Sequence, residues 1–265
     1  MKHAFFHNVT IMTGASSGIG RELAIQLSRQ HAFLSLVARR EAQLNEVAEE
    51  CERAGGECLV IPLDITSQDN CQEIISRTVR RFGKIDTLIN NAGISMHSKV
   101  EDVQNLEIYR SIMQVNFFGG LWCTYFSLPY LKETQGRIVA ISSYAGLFPS
   151  PFASGYSASK HAMVGFLNSL RVELDGTGVS VTIVHPGWVK SGISSRSFDA
   201  RGNSLNHTLD HEKNAMSLDE CAARIIDAAE KRKRQEVFGS IGKLGLWLRT
   251  LAPKLVDEES MRELK

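Results

Sequence analysis

Of the five tyrosines in this 265-residue chain, Tyr156 alone has a lysine four positions on, Lys160. On a helix that spacing puts both side chains on one face. A phenol titrates near 10, so a neighbouring ammonium that lowers its pKa lets it act as acid or base closer to neutrality. Ser143 stands 13 residues earlier, at the end of a β-rich run, placed to hydrogen-bond a carbonyl oxygen as negative charge develops on it. Far upstream, the apolar run at residues 9–13 ends in Gly14-Ala-Ser-Ser-Gly18-Ile-Gly20. Those glycines allow a tight turn and a close approach to a pyrophosphate, and a helix following them presents unpaired N–H groups and its positive dipole end. Each feature alone has a plainer reading: a surface i,i+4 pair, a turn cap at Ser142-Ser143, a tight glycine turn. The G-x-x-x-G-x-G spacing also differs from the G-x-G-x-x-G dinucleotide fingerprint.

The elements that must position these residues follow from periodicity. After the glycine loop, Ile19, Leu23, Ala24 and Leu27 recur at helical spacing. The pattern predicts strands at 33–38, 58–62, 85–90, 137–142, 180–185 and 236–238. Between them it predicts helices at 41–54, 67–82, 105–131, 154–174 and 218–231. Seven strands alternating with helices make a parallel sheet, and apolar runs such as 87–89 and 138–141 fit one covered on both faces. The fold class expected is therefore α/β, a Rossmann-type doubly wound sheet in a single domain. Ligands of such sheets bind beyond the carboxyl ends of the strands, where the crossover direction changes, and the glycine loop lies there.

Thirty basic against twenty-nine acidic residues leave a formal charge of +1, so no global field favours nucleic acid or an anionic bilayer. With 43% hydrophobic and 22% charged residues the chain can bury a sizeable core, which excludes disorder and a disulfide miniprotein. Five widely spaced cysteines without a C-x-x-C pair suit free thiols in a reducing, cytoplasmic setting. No apolar stretch has the length of a membrane span, and a cleavable leader would consume the glycine loop. No histidine or cysteine pattern has metal-ligand spacing, and no G-x-S-x-G elbow marks a serine hydrolase.

In order along the chain, Thr13-Gly14-x-x-x-Gly18-Ile19-Gly20, Asp64, Asn90-Asn91-Ala92-Gly93, Asn116, Ser143, Tyr156-x-x-x-Lys160 and Pro186-Gly187 resemble the classical short-chain dehydrogenase/reductase family. The resemblance runs from Val9 to about Phe238. It implies a catalytic domain over 1–240 with a substrate loop at about 190–217, and a catalytic set of Asn116, Ser143, Tyr156 and Lys160. In that set Lys160 also holds the nicotinamide ribose, and Asn116 orders a water linking Lys160 to solvent. Cofactor contacts implied are Gly14, Ser16, Ser17, Gly18, Ile19 and Gly20 at the diphosphate, and Asp64 and Ile65 at the adenine edge. Asn91, Ala92 and Gly93 fall on the ribose side, with Pro186, Gly187 and Val189 at the carboxamide. Ser191 stands where the family often has threonine. The family also forms homodimers or homotetramers on the helices predicted at 105–131 and 154–174.

An acid about 20 residues after the glycine loop selects NAD, whereas arginine accommodates a 2′-phosphate. The sequence reads Val37-Ala38-Arg39-Arg40, so NADP(H) is expected over NAD(H), with Arg39 as phosphate clamp and Arg40 as a secondary contact. Leu147, Phe148, Phe152 and Trp188 are expected to line the cleft, pointing to an apolar steroid, retinoid, fatty-acyl or aromatic carbonyl or alcohol. An NADP(H)-binding sensor or scaffold without turnover is the alternative.

Two stretches lie outside this scheme. The run Lys231-Arg-Lys-Arg234 reads as cations matched to the dipole at a helix C-terminus. The extension 241–265 carries an amphipathic segment at 241–256. It fits a cover for the cleft, a subunit contact, or a peripheral lipid contact.

Overall fold

The computed structural model describes residues 4–207 and 215–262. Five-residue apolar runs become strands buried on both faces, beginning with β1 (Val9–Thr13), every residue of which is buried. The others are β2 (Phe33–Val37), β3 (Glu57–Ile61), β4 (Thr87–Asn90), β5 (Arg137–Ile141), β6 (Ser180–His185) and β7 (Gln235–Val237). They form one parallel sheet in the order β3-β2-β1-β4-β5-β6-β7.

Helices α1 (Gly18–Ser28), α2 (Glu41–Arg53) and α7 (Leu218–Glu230) cover one face. Helices α3 (Gln68–Phe82), α5 (Gly120–Glu133) and α6 (Ser154–Glu173) cover the other. Local sequence sets several of their ends. Ser67 caps α3 by accepting from the Asn70 amide, and Gly83 closes it at φ +77°. Ser217 caps α7 in the same way through Glu220.

The crossover direction reverses between β1 and β4, so a crevice opens where their carboxyl ends diverge. It is locked at that point. The Thr13 hydroxyl accepts from the amides of Asn91 and Ala92 at 3.0 and 3.1 Å, and the Asn91 carboxamide donates to the carbonyls of Thr13 and Gly14 at 3.0 and 3.2 Å. The five cysteines carry no disulfide, and Cys71 and Cys123 face each other at 3.6 Å where α3 meets α5. No helix among the described residues is long and apolar enough to cross a membrane.

The structure departs from the periodicity in three places. The single helix expected at 105–131 is instead α4 (Glu107–Met113), a π-helical stretch Gln114–Gly119, and α5. Side-chain spacing cannot register such a widened turn. Here the Asn116 side chain bonds to Ile94 and Ser159, while the glycines let the turn lie against Ile65 and Met163. Next, α7 ends at Glu230, so the basic run lies beyond it. Lys231 and Lys233 pair with Asp227, and Arg232 donates to the carbonyls of Gln135, Gly136 and Gly178. The third departure is the C-terminal extension, which forms two helices, α8 (Ser240–Leu251) and α9 (Pro253–Arg262).

Helix α8 sits unusually close to the domain because Gly242 and Gly245 face it. A Cβ on Gly242 would lie 2.5 Å from the Tyr144 hydroxyl, and one on Gly245 would lie 2.9 Å from the Phe148 ring. Arg249 adds a hydrogen bond to the Leu147 carbonyl at 2.8 Å. Along α8, Leu244, Trp247 and Leu251 remain exposed, Leu244 at the edge of the large cavity. Substituting Gly242→Val therefore forces α8 off Tyr144, at about 1–3 kcal/mol of overpacking. The expected result is rapid proteolytic loss of the C-terminal helices while the sheet domain stays folded, read by limited proteolysis.

Candidate active site

Beyond the carboxyl ends of the strands lies a cavity of about 690 Å³. One end is the glycine loop. Gly14 and Gly18 take φ of +69° and +57°, a region that favours glycine. A Cβ on Gly14 would lie 2.8 Å from the Ala92 backbone, and one on Gly20 would collide with the Gly14 carbonyl. Ser17 begins α1 without capping it through its side chain, so the first-turn N–H groups remain available to an anion.

Every residue expected at the cofactor lines this cavity except Gly20, whose part is to pack the loop. The Asn91 carboxamide is committed to bracing the glycine loop, while the backbone of 91–93 forms the wall. Asp64 accepts from the Thr66 amide at 2.9 Å. At the rim the two arginines differ. Arg40 donates to the hydroxyls of Ser16 and Ser17 at 3.1 and 3.4 Å, whereas the Arg39 side chain is 71% exposed and leans toward Asp64 at 3.9 Å. A dinucleotide fits this cradle on three counts: the glycines that a Cβ would fill, the uncapped helix start, and the guanidinium pair at the far rim.

At the other end β5 and α6 bring Ser143, Tyr156 and Lys160 together. Ser143 follows β5, and its hydroxyl accepts from the Ala145 amide at 3.2 Å. Behind it, His185 at the end of β6 is fully buried, with Nδ1 3.1 Å from the Ser143 carbonyl. Lys160 is 5% exposed, and its ammonium donates to the Ile141 carbonyl at 2.8 Å. It lies 5.5 Å from the centre of the Tyr156 ring. Burial pulls the Lys160 pKa down to about 8.

Tyr156 behaves opposite to the expectation from its lysine neighbour. Burial pushes its pKa up to about 12, and the Ser143 hydroxyl beside it only partly opposes this. An ammonium that is itself desolvated and turned to a backbone carbonyl does not overcome that burial.

Asn116 is 3% exposed, and its carboxamide is fully engaged: it accepts from the Ile94 amide and donates to the Ile94 carbonyl and the Ser159 hydroxyl, each at 2.9 Å. Ser159 in turn donates to the Tyr156 carbonyl at 2.7 Å. A second cavity of about 10 Å³, close to the size of one water, is lined by Asn116 and Lys160 among others. A Cβ on Gly93 would lie 3.4 and 3.5 Å from the Asn116 oxygen and the Lys160 nitrogen.

The substrate end corrects part of the expected lining. Phe148 and Trp188 line the cavity, but Leu147 and Phe152 do not. Leu147 is buried, and Phe152 turns to the His97 ring at 5.1 Å. Sequence reasoning missed Met96 and Phe198, which line it instead, and Leu248, Leu255 and Val256 of the segment 241–256, for which a cover over the cleft was one reading, line it too. Phe198 arrives through bridges to Met96 and Ser204, and the others through α8 and α9. No local motif signals such contacts. Residues 208–214 of the substrate loop lie outside the described residues.

His185 supplies a pH test. Burial pulls its pKa from 6.5 to about 4, so the unfolded chain binds the proton more readily between those values. Its contribution is complete above pH 6.5 and is lost as pH falls toward 4, to the extent of about 3 kcal/mol. Denaturant unfolding at pH 7 and pH 4.5 is expected to show a smaller loss for His185→Asn than for the native protein.

A family model described as short chain dehydrogenase matches residues 8–202. The 11-beta-hydroxysteroid dehydrogenase-like 2 protein of Arabidopsis thaliana is 36% identical over 262 residues, which is 97% of this chain and 83% of that one. The 11-beta-hydroxysteroid dehydrogenase A of Sesamum indicum is 34% identical over 258 residues, 94% of this chain and 73% of its own. Among solved structures, an alcohol dehydrogenase from the archaeon Thermococcus sibiricus complexed with 5-hydroxy-NADP superposes with a TM-score of 0.74. It is 25% identical and covers 87% of this chain and 94% of its own.

Proposed function

The chain belongs to the short-chain dehydrogenase family and is an oxidoreductase of the NAD(P)-binding kind; on that premise we propose that it interconverts an apolar ketone and a secondary alcohol, with NADP(H) as the preferred cofactor. One observation carries this reading: Ser143, Tyr156 and Lys160 converge at one end of a cavity whose other end is a glycine loop rimmed by two arginines.

Gly14–Ile19 would hold the diphosphate of the dinucleotide, and Arg39, Arg40, Asp64 and Ile65 its adenosine. Gly93, Lys160, Pro186, Gly187, Val189 and Ser191 would hold its nicotinamide half. When bound, the nicotinamide supplies or accepts hydride at the substrate carbon. In reduction the Ser143 hydroxyl donates a hydrogen bond to the substrate oxygen, and Tyr156 gives that oxygen its proton. Lys160 holds the ribose and replenishes the proton through the small cavity beside Asn116, which has room for one relay water. Oxidation follows the same path reversed.

A phenol at about 12 is protonated at neutral pH, the form that the reduction step consumes. The substrate is of steroid type. Its support is the apolar lining by Met96, Phe148, Phe198 and Leu248, together with the hydroxysteroid dehydrogenase names carried by the relatives.

Three measurements test this. Following nicotinamide absorbance with a steroid ketone, Tyr156→Phe is expected to reduce turnover by a factor of about 10² to 10⁴ while NADPH still binds. NADPH binding by the native protein without turnover of any carbonyl offered would favour the sensor alternative. In a pH series, oxidation is expected to rise through pH 9 as the phenolate fraction grows, while reduction does not. For cofactor choice, Arg39→Ala and Arg40→Ala are each expected to weaken NADPH binding about tenfold or more and to leave NADH within about twofold.

A further inference from the structure

His185 is a buried imidazole that the proposed chemistry leaves unused. It ends β6 and is fully buried. Its Nδ1 lies 3.1 Å from the Ser143 carbonyl, and its Nε2 has no hydrogen-bond partner among the described residues. A carbonyl only accepts, so Nδ1 carries the hydrogen and the ring is held as one tautomer. Burial keeps that ring neutral at neutral pH.

The bond falls where the sheet lacks one. Beyond the paired residues of β5 and β6, the Ser142 amide donates to the Val184 carbonyl at 2.8 Å, and the Tyr144 amide donates to the Pro186 carbonyl at 3.0 Å. The rung between them would need the N–H of residue 186, which is proline and has none. The imidazole of the preceding residue reaches across to the Ser143 carbonyl instead. That carbonyl also accepts from the Gly146 amide at 3.0 Å, so both its lone pairs are filled. The peptide joining Ser143 to Tyr144 is therefore tied to residues 185–186 on both sides, through its N–H to Pro186 and through its C=O to His185. The Ser143 hydroxyl accepts from the Ala145 amide, which leaves its own hydrogen for another acceptor.

We infer that His185 is a positioning residue for Ser143: its Nδ1–H holds the Ser143–Tyr144 peptide against the end of β6 and so sets the direction in which the Ser143 hydroxyl meets the substrate oxygen. The inference rests on the role proposed for Ser143 above. Without the imidazole donor the carbonyl keeps only its turn bond to Gly146, and rotation of that peptide carries the hydroxyl out of line.

The test is a double-mutant cycle on reduction of a steroid ketone at saturating NADPH, with NADPH affinity from titration calorimetry and thermal unfolding of each variant. His185→Leu keeps bulk and removes the donor. It is expected to lower kcat about 10- to 100-fold, while KM and the Kd for NADPH stay within about twofold. His185→Asn, whose amide can donate to the same carbonyl, recovers part of the loss. In a Ser143→Ala background, His185→Leu costs less than about a further twofold, because the group it positions is gone. Losses that multiply in the double variant, or native kcat in His185→Leu, overturn the inference. Should His185→Leu fail to fold, His185→Asn is carried through the same cycle and judged by the same non-additivity. Nitrogen-15 NMR of the native protein reads the ring independently of turnover: an Nδ1–H imidazole is expected, and an Nε2–H imidazole overturns the assignment. A native protein with the Nδ1–H ring that turns over no carbonyl overturns the proposed function, and this inference with it.

Discussion

A lysine buried to 5% exposure, its ammonium partnered by a backbone carbonyl, is the constraint around which one end of the cavity is arranged. A cation removed from water at such depth is costly, and its pKa falls in response. Lys160 is kept there by elements from three directions. The Ile141 carbonyl at the end of β5 accepts its hydrogen bond, α6 carries its backbone, and Gly93 leaves the nitrogen's other side open, where a Cβ would stand 3.5 Å from it. The widened turn at residues 114–119 belongs to the same arrangement. It brings the Asn116 carboxamide to Ile94 on one side and Ser159 on the other, fixing the loop after β4 to the helix bearing Tyr156 and Lys160.

The dinucleotide end is held by a different device. Thr13 and Asn91 exchange hydrogen bonds across the point where the sheet reverses its winding, so the glycine loop and the wall opposite it cannot move independently. Glycines at 14 and 20 then let backbone approach backbone at distances that any Cβ would prevent. The glycine loop and the backbone of residues 91–92 are thus braced together. On the proposed function, the protein's part in the chemistry is to hold a reactive ring and a substrate oxygen at fixed separation from a phenol.

The substrate end follows the opposite principle. Its floor is the catalytic strand and helix, but its walls are a long loop and two C-terminal helices that pack on the domain through Tyr144 and Phe148. Glycines at 242 and 245 set how near α8 comes, and so how deep the cavity is. Changing these pieces alters what fits without disturbing the phenol, the ammonium or the phosphate cradle.

The sequence by itself determined the alternation of seven strands with helices, because apolar runs buried on both sides leave a period that reads directly. It also singled out residues that the fold gathers around one cavity, since Tyr156 and Lys160 lie on one helix face and the glycine spacing is local. Tertiary structure alone decided three things. It broke the helix expected at 105–131 at Asn116, because the partners that favour a wide turn there, Ile94 and Ser159, are remote in sequence. It set the phenol's pKa upward, because burial depends on everything packed around Tyr156 while the lysine spacing reports one neighbour. And it replaced Leu147 and Phe152 in the cavity wall with residues from the loop and the last two helices, because side chains that converge from distant segments share no periodicity.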